Sequence, residues 1–459
     1  VQRREIGGEH RKAACDAEAG GGGAAAIDRR TGSTDDSRSR TIDATIRRCT
    51  APCLRSLLVK ISRALPSHPR RIAAAFACLV AVAAGPTRAA DSIKLGIAQD
   101  LSGPFAALGA EARDGFTLAL DSLGGKLGGL PVTVVQADTT GTPDAARQVV
   151  ERFVKQDRID FFTGPIGSNV ALAIGPLLFD AKVPYVSANA TPSGLMGEKC
   201  NPWFFSASWP GDAHHEAAGK VALDKGYKAV MFVAPNYPAG VDANAGFKRF
   251  YTRPLKGEIF TKLGQIDYAV EIAQIRAAQP DAVYFFLPGG MGINFIKQYV
   301  GAGLNRSVPL VAPGFSTDED VIRAVGAPMQ GILNSSHWNH DFDNPANKAF
   351  VDAFQKKYGR LPSTYAAQAW DAIHMIDAAV RDAKGNLDDK PALVAALSAA
   401  RYRSVRGDYK LGANHVPIQP MVLREVTKDA QGRLTNRTVS KIFDAHADVY
   451  GAKCVMPKP

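Results

Sequence analysis

Two short segments hold the residue types from which an anion site can be built. Gly164-Pro-Ile-Gly-Ser168 follows a run that reads as a strand and precedes an apolar stretch of helical spacing; Ser187-Ala-Asn189-Ala190-Thr191-Pro192 follows the next strand. Ser168 is placed as an N-cap, and so is Thr191, with Pro192 at the first helical position. The first N–H groups of a helix have no partner within it and carry partial positive charge. Two such ends facing one crevice, each with a hydroxyl, suit a carboxylate. The plainer reading is that both hydroxyls only cap their helices, and the two roles are compatible.

Aromatic and apolar material comes later in the chain. Pro235-Asn-Tyr237-Pro-Ala-Gly240, Leu287-Pro-Gly-Gly and Ala312-Pro-Gly314-Phe315-Ser316 each lie just beyond a strand. Tyr237 and Phe315 are placed to close over the apolar part of a small molecule. Trp338 and Tyr365 are further candidates, although any one of these rings is equally well explained as core. Other chemistry finds little support. Adjacent histidines such as His214 and His215 diverge on a helix, and no cysteine or carboxylate set has metal spacing, so neither metal nor cofactor is expected. Residues 91–459 contain no Gly-x-Ser-x-Gly elbow and no glycine-rich phosphate loop with lysine, which argues against a hydrolase or an ATPase.

The elements that must position these residues alternate. Strands are expected at 94–98, 132–136, 160–163, 184–187, 229–233, 282–287 and 309–312, with amphipathic helices at 107–123, 145–154 and 170–181. This alternation predicts an α/β fold of mainly parallel sheets flanked by helices. The theme restarts after about residue 210, so two such units stand side by side with a cleft at the carboxyl ends of their strands.

The amino-terminal part reads differently. Residues 1–69 have no sustained apolar period, and the seven methionines all fall at Met196 or later; the segment is expected to be a non-native or disordered extension. Arg70 and Arg71, the 13-residue apolar run 72–84, and small residues to Ala90 predict a secretory signal peptide at 70–90, too short to span a bilayer. The formal net charge of +11 largely belongs to this part: residues 91–459 hold 39 basic and 36 acidic side chains, against 55 and 44 in the whole chain. Nucleic acid is therefore not an expected partner. Of six cysteines only Cys200 and Cys454 lie beyond the signal. In an oxidising compartment they suggest one disulfide tying down the C-terminal tail, the alternative being two buried thiols.

From Ser92 to about Phe443 the chain resembles the leucine/isoleucine/valine-binding family of periplasmic proteins, the receptors of ABC importers. The resemblance rests on Ile93-Lys-Leu-Gly with Leu101-Ser-Gly-Pro, on Phe162-Thr-Gly-Pro-Ile-Gly-Ser168, on Val183-Pro-Tyr-Val-Ser-Ala-Asn-Ala-Thr191, and on Asn344-Pro-Ala-Asn with Phe350, Tyr358-Gly, Pro362 and Trp370-Asp-Ala. It implies a two-lobed type I periplasmic-binding-protein fold joined by three hinge crossings. The lobes are expected at 91–208 plus 337–417 and at 209–336 plus 418–459. It also implies that Ser168, Ala190 and Thr191 hold the ligand's polar end, that Tyr237 is the second-lobe aromatic, and that Tyr365 is another aromatic contact. Two departures stand out. Leu108 occupies a position where amino-acid binders often carry tyrosine, and no acidic residue accompanies Gly314-Phe315, Asp318 and Glu319 coming later. A desolvated ammonium needs such a partner, so the reading leans from an amino acid toward a small carboxylic or aromatic acid. The expected protein is a periplasmic monomer, not an enzyme, that closes on a small carboxylate and delivers it to ABC permease subunits. Rival readings are a receptor for a signalling partner and an exported enzyme on the same scaffold.

Overall fold

The computed structural model describes residues 90–459; the expectations for 1–69 and for the signal up to residue 89 lie outside the described residues. The first sheet contains β1 (Ile93–Gln99), β2 (Lys126–Leu127), β3 (Leu130–Asp138), β4 (Phe161–Thr163), β5 (Tyr185–Ser187) and β6 (Phe204–Ser206), in the order β2-β3-β1-β4-β5-β6. Every pairing is parallel except the β2–β3 hairpin. β1 is central, with Leu95 aligned to Val134 on one side and Phe161 on the other. Its alternate side chains enter two different cores. Ile93, Leu95 and Ile97 pack with Phe116, whereas Ala98 joins Phe153 and Phe162. Burial on both faces is what a parallel sheet covered by helices requires.

The second sheet contains β7 (Val230–Pro235), β8 (Gly257–Thr261), β9 (Ala282–Phe285), β10 (Leu310–Pro313), β11 (Leu333–Ser336), β12 (Lys410–Leu411), β13 (Pro417–Lys428) and β14 (Leu434–His446). Its order is β12-β13-β11-β10-β9-β7-β8, with β14 paired to β13. The five strands from β7 to β11 run parallel, and β12, β13 and β14 add antiparallel pairings.

The chain passes between the sheets three times, at 207–212, 337–344 and 400–409. Helix Thr364–Asp382 returns after the second passage and packs on helix Ala106–Ser122 over the first sheet. A Cβ on Gly115 would stand 2.3 Å from the Ala366 carbonyl oxygen, so this crossing needs glycine. Asn344 and Ser363 cap the two returning helices, accepting from Asn347 N and Ala366 N. Residues 410–417 had been expected with the first lobe; Lys410 and Leu411 instead pair with Ile418 and Pro417 of the second sheet. The same segment also touches the first sheet, the His415 carbonyl accepting Ser206 N of β6 at 3.0 Å.

Two buried arginines fix the crossings. Arg406 Nε donates to Asp371 Oδ2 at 2.9 Å, and Arg406 Nη1 donates to Gln419 Oε1 at 2.7 Å and to the Ser208 carbonyl at 2.9 Å. One side chain thus ties a first-lobe helix, the first crossing and β13 together. Arg424 Nε donates to Asn334 Oδ1 at 2.7 Å, and its Nη1 reaches the Trp338 carbonyl at 3.3 Å.

Cys200 and Cys454 form a disulfide across a sequence separation of 254 residues. It joins the tail that follows β14 to the loop before β6. Asn414 Nδ2 supports the junction by donating to the Met196 carbonyl at 3.0 Å and to Asp448 Oδ2 at 3.0 Å. A cross-link closing so long a loop restricts the unfolded chain. The Cys200→Ser, Cys454→Ser protein is expected to lose about 2–4 kcal/mol of stability, read as a lower urea midpoint under oxidising conditions. An unchanged midpoint would mean that the tail is held by its hydrogen bonds alone.

Candidate functional site

The first wall is shaped at the exit of β4. Gly164 has φ +101°, and a Cβ there would stand 1.8 Å from the Ala98 carbonyl oxygen, so only glycine makes this turn. The loop beyond it is held by Asp100, just after β1. Asp100 Oδ2 accepts Ile166 N at 3.0 Å and Gly167 N at 2.8 Å, and its Oδ1 accepts the Thr139 hydroxyl. Burial raises the pKa of this carboxyl, against the pull of these donors.

The helix that follows begins at Ser168, with Gly167 as its cap. The expected N-cap is therefore one residue out. Gly167 already has extended dihedrals, and its carbonyl accepts Val170 N at 3.1 Å and Ala171 N at 3.0 Å. Among the described residues no hydrogen bond within the protein engages the Ser168 hydroxyl, which is left for another partner.

The second expected helix is absent. Pro192 caps a single 3-10 turn, Ser193–Leu195. A tertiary contact competes with helix formation here: Ser193 N donates to Asp242 Oδ2 at 2.9 Å and Ser193 Oγ to Asp242 Oδ1 at 2.6 Å, Asp242 lying on second-lobe helix Pro238–Phe250. Thr191 caps nothing, and its hydroxyl meets Ser206 Oγ at 2.8 Å. The Ala190 carbonyl accepts Ser187 Oγ at 2.7 Å. No hydrogen bond among the described residues takes up the N–H groups of Ala190 and Thr191. Asn189 Nδ2 donates to the Ile166 carbonyl at 2.9 Å and so links the two loops.

Both loops open on a narrow cavity between the lobes. Ser168, Asn189, Ala190, Thr191, Tyr237, Phe315 and Tyr365 line it, as do Phe105, Trp209, His215 and Phe286, which sequence reasoning had missed. Six aromatic rings thus surround the space. Trp209 and Phe315 lie 4.4 Å apart, Phe105 and Tyr237 6.0 Å, and Tyr237 stacks on Phe286 at 6.3 Å. No Asp, Glu, Lys or Arg side chain is in the wall.

Gly314 and Trp338 do not reach it. Gly314 backs onto Arg424, whose Nη2 would stand 2.7 Å from a Cβ there. Trp338 packs on Phe350 at 6.1 Å in a separate helical cluster and donates from Nε1 to Asn347 Oδ1 at 2.7 Å. The first two carboxylates that follow Phe315 are also spent elsewhere: Asp318 Oδ2 accepts Thr364 N at 2.5 Å, and Glu319 Oε1 accepts Asn436 N at 2.9 Å. Leu108 lies buried against Gly289 of the second lobe.

The two adjacent histidines diverge as expected. His214 Nδ1 donates to the Ser335 carbonyl at 3.0 Å, leaving Nε2 to accept from His337 Nδ1 at 2.9 Å. The His214 ring stacks behind Phe315 at 4.3 Å. His215 turns the other way, with Nδ1 2.5 Å from the Tyr284 hydroxyl. Among the described residues, no group of three or more His, Cys, Asp or Glu side chains is arranged to hold a metal ion. The one sequence signal for His215 was its position three residues after crossing residue Asp212, and that spacing alone does not say which face it takes.

With this geometry established, comparison with known proteins is direct. Residues 92–431 match the periplasmic binding protein family, and the chain belongs to it. It is 30% identical over 370 residues to Leu/Ile/Val-binding protein homolog 6 of Brucella melitensis biotype 1, covering 78% of this chain and 93% of that one. It is similar to an ABC-transporter solute-binding protein of R. palustris in complex with benzoate: 32% identity, TM-score 0.74, covering 78% of this chain and 98% of that one. It is also similar to a solute-binding protein from Rhodopseudomonas palustris BisB5 in complex with 3,4-dihydroxy benzoic acid: 27% identity, TM-score 0.74, covering 78% and 99%. The two-lobed α/β fold is thus that of the type I binding proteins. No described helix is long and apolar enough to cross a membrane.

Burial holds His215 well below the usual imidazole range, at about 3, so the ring is neutral at pH 7. Its stabilising share is complete above pH 6.5 and is lost as the pH falls toward 3, because the unfolded chain takes up a proton that the folded chain refuses. Between pH 6 and 4 the stability of the wild type should therefore fall more steeply than that of His215→Phe, by about 1.4 kcal/mol per pH unit. Denaturation curves across that range with parallel slopes would show that the ring is protonated in the fold.

Proposed function

We propose that this protein is the extracytoplasmic solute receptor of an ABC importer and that its ligand is a small aromatic carboxylate. The observation that carries this reading is the composition of the cavity wall: six aromatic rings and neutral hydrogen-bond donors, with no charged side chain. An amino acid would bury its ammonium group there with no carboxylate to meet it, which is costly. An aromatic acid asks only for flat apolar surfaces and for donors at one end. The relatives in complex with benzoate and with 3,4-dihydroxy benzoic acid support the same class.

In this mechanism the ligand carboxylate settles on the first lobe. The Ser168 hydroxyl, the opening turn of its helix and the N–H groups of Ala190 and Thr191 donate to it, and the positive end of the helix favours the negative charge. The second lobe then brings Tyr237, Phe286 and Phe315 against the ring and expels water. The ligand selects this closed arrangement because only there is it touched from both sides. Two contacts between the lobes hold the closed arrangement at the rims. One is Ser193 with Asp242; in the other, Arg323 Nη2 donates to Glu111 Oε1 at 2.6 Å. The permease subunits would recognise the paired lobes.

Calorimetry with benzoate tests the reading. The wild type should bind, and Ser168→Ala should weaken binding by about tenfold or more, the loss expected for one donor to a buried charge, with little change in melting temperature. Tighter binding of leucine than of any aromatic acid would refute the ligand class, and unchanged affinity of Ser168→Ala would refute the site.

A further inference from the structure

The second-lobe wall contains one polar group whose state the fold dictates. His215 lies on helix Ala213–Asp224 and is 1% exposed, its ring forming part of the cavity wall. It stands edge-on to Phe286 at 4.8 Å, with Phe315 at 6.3 Å. Nδ1 is occupied by the Tyr284 hydroxyl at 2.5 Å, and Tyr284, in β9, has no other hydrogen-bond partner among the described residues. Burial raises the Tyr284 pKa far above the ordinary phenol range, so this hydroxyl keeps its proton. Were the phenol to accept instead, its own buried proton would have no partner, so the favoured arrangement has the hydroxyl donating and Nδ1 accepting. The imidazole is neutral, so its own proton sits on Nε2. Nε2 makes no hydrogen bond among the described residues, and it is not among the buried side-chain atoms left without a partner. It therefore meets the open space of the cavity.

Apart from the first-lobe donors already named, the side-chain polar groups on that space that have no partner among the described residues include the Trp209 indole N–H and the hydroxyls of Tyr237 and Tyr365, which rotate and can either donate or accept. His215 can only donate. A fixed donor among aromatic rings discriminates between ligands, since leaving it unpaired in a closed cavity costs the complex its desolvation.

We propose that His215, locked by Tyr284 as the Nε2–H tautomer, is a specificity-determining residue that donates to a ring oxygen of the ligand and so selects hydroxylated aromatic acids over unsubstituted ones. This rests on the aromatic-acid reading above and adds to it a ring substituent and the residue that reads it. Tyr284 is a positioning residue: it touches no ligand and acts through the imidazole.

The test is calorimetry of the wild type, His215→Phe, His215→Gln and Tyr284→Phe with benzoate and with its 3- and 4-hydroxy derivatives, each variant's melting temperature being recorded. The wild type should bind at least one hydroxylated acid about tenfold or more tighter than benzoate, the factor of one buried neutral hydrogen bond. His215→Phe should abolish that preference, and His215→Gln, whose amide can donate from near the Nε2 position, should keep part of it. Tyr284→Phe should reduce it. A wild type that binds all three acids equally overturns the inference. So does a His215→Phe protein that loses the same factor on benzoate as on its hydroxy derivatives, because that result assigns the ring to the carboxylate or to structure. In both cases the aromatic-acid function stands. A Tyr284→Phe protein with the full preference overturns the tautomer lock. A wild type that binds none of the three acids overturns the proposed function, and this inference with it.

Discussion

Arg406 is the node on which the two-lobed arrangement depends. Its guanidinium is buried between the lobes and reaches Asp371 on a first-lobe helix, the Ser208 carbonyl on the first crossing and Gln419 on β13. A buried charge left without its partners is strongly destabilising. The three segments are therefore held to one another before any ligand arrives. Because Trp209 and Asp212 lie on that same crossing, the node also sets where the cavity's back wall and the start of helix Ala213–Asp224 fall. Arg424 does the same for the second crossing. Closure can then be a hinge motion about fixed points rather than a search for a mating surface.

A second consequence concerns charge. Of the carboxylates that lie within the fold near the cleft, four are committed to protein donors. Asp100 holds the Ser168 loop, Asp318 meets the opening of helix Thr364–Asp382, Asp242 bonds Ser193 across the lobes and Glu111 meets Arg323. The cavity itself is left with hydroxyls, amides, a neutral imidazole and rings. An anion entering such a space meets donors and no repelling charge, whereas a cation meets nothing to replace its lost water. Selectivity for acids follows from where the acidic side chains are bound as much as from the donors on display.

Much of this was legible along the chain. The buried strands of the parallel sheets are short apolar runs, and seven of them could be placed from composition alone. Loop residues beyond those strands were identifiable as site candidates because parallel sheets present their carboxyl ends to one crevice. The antiparallel part was not legible. β13 carries two prolines and alternates buried with half-buried residues, and β14 is largely exposed. Neither has the apolar density that marks a strand without its neighbours. Thr191 shows the same limit at a finer scale: Thr-Pro reads as a helix start, but Asp242, 51 residues away, takes the donors of Ser193 and leaves one turn.

The amino-acid sequence by itself determined the α/β alternation, the restart after residue 210, the hydroxyl-bearing loops and the presence of just two cysteines in residues 91–459. All of these are written in local periodicity, turn chemistry and counts. Only the tertiary structure decided that Trp209, His215, Phe105 and Phe286 join one cavity while Gly314 and Trp338 do not. It also decided that Cys200 meets Cys454 and that His215 presents Nε2 rather than Nδ1 to that space. Each of these depends on which distant groups are brought within hydrogen-bonding or van der Waals reach. Such contacts act over a few ångströms in space but over tens to hundreds of residues in sequence, where no local pattern records them.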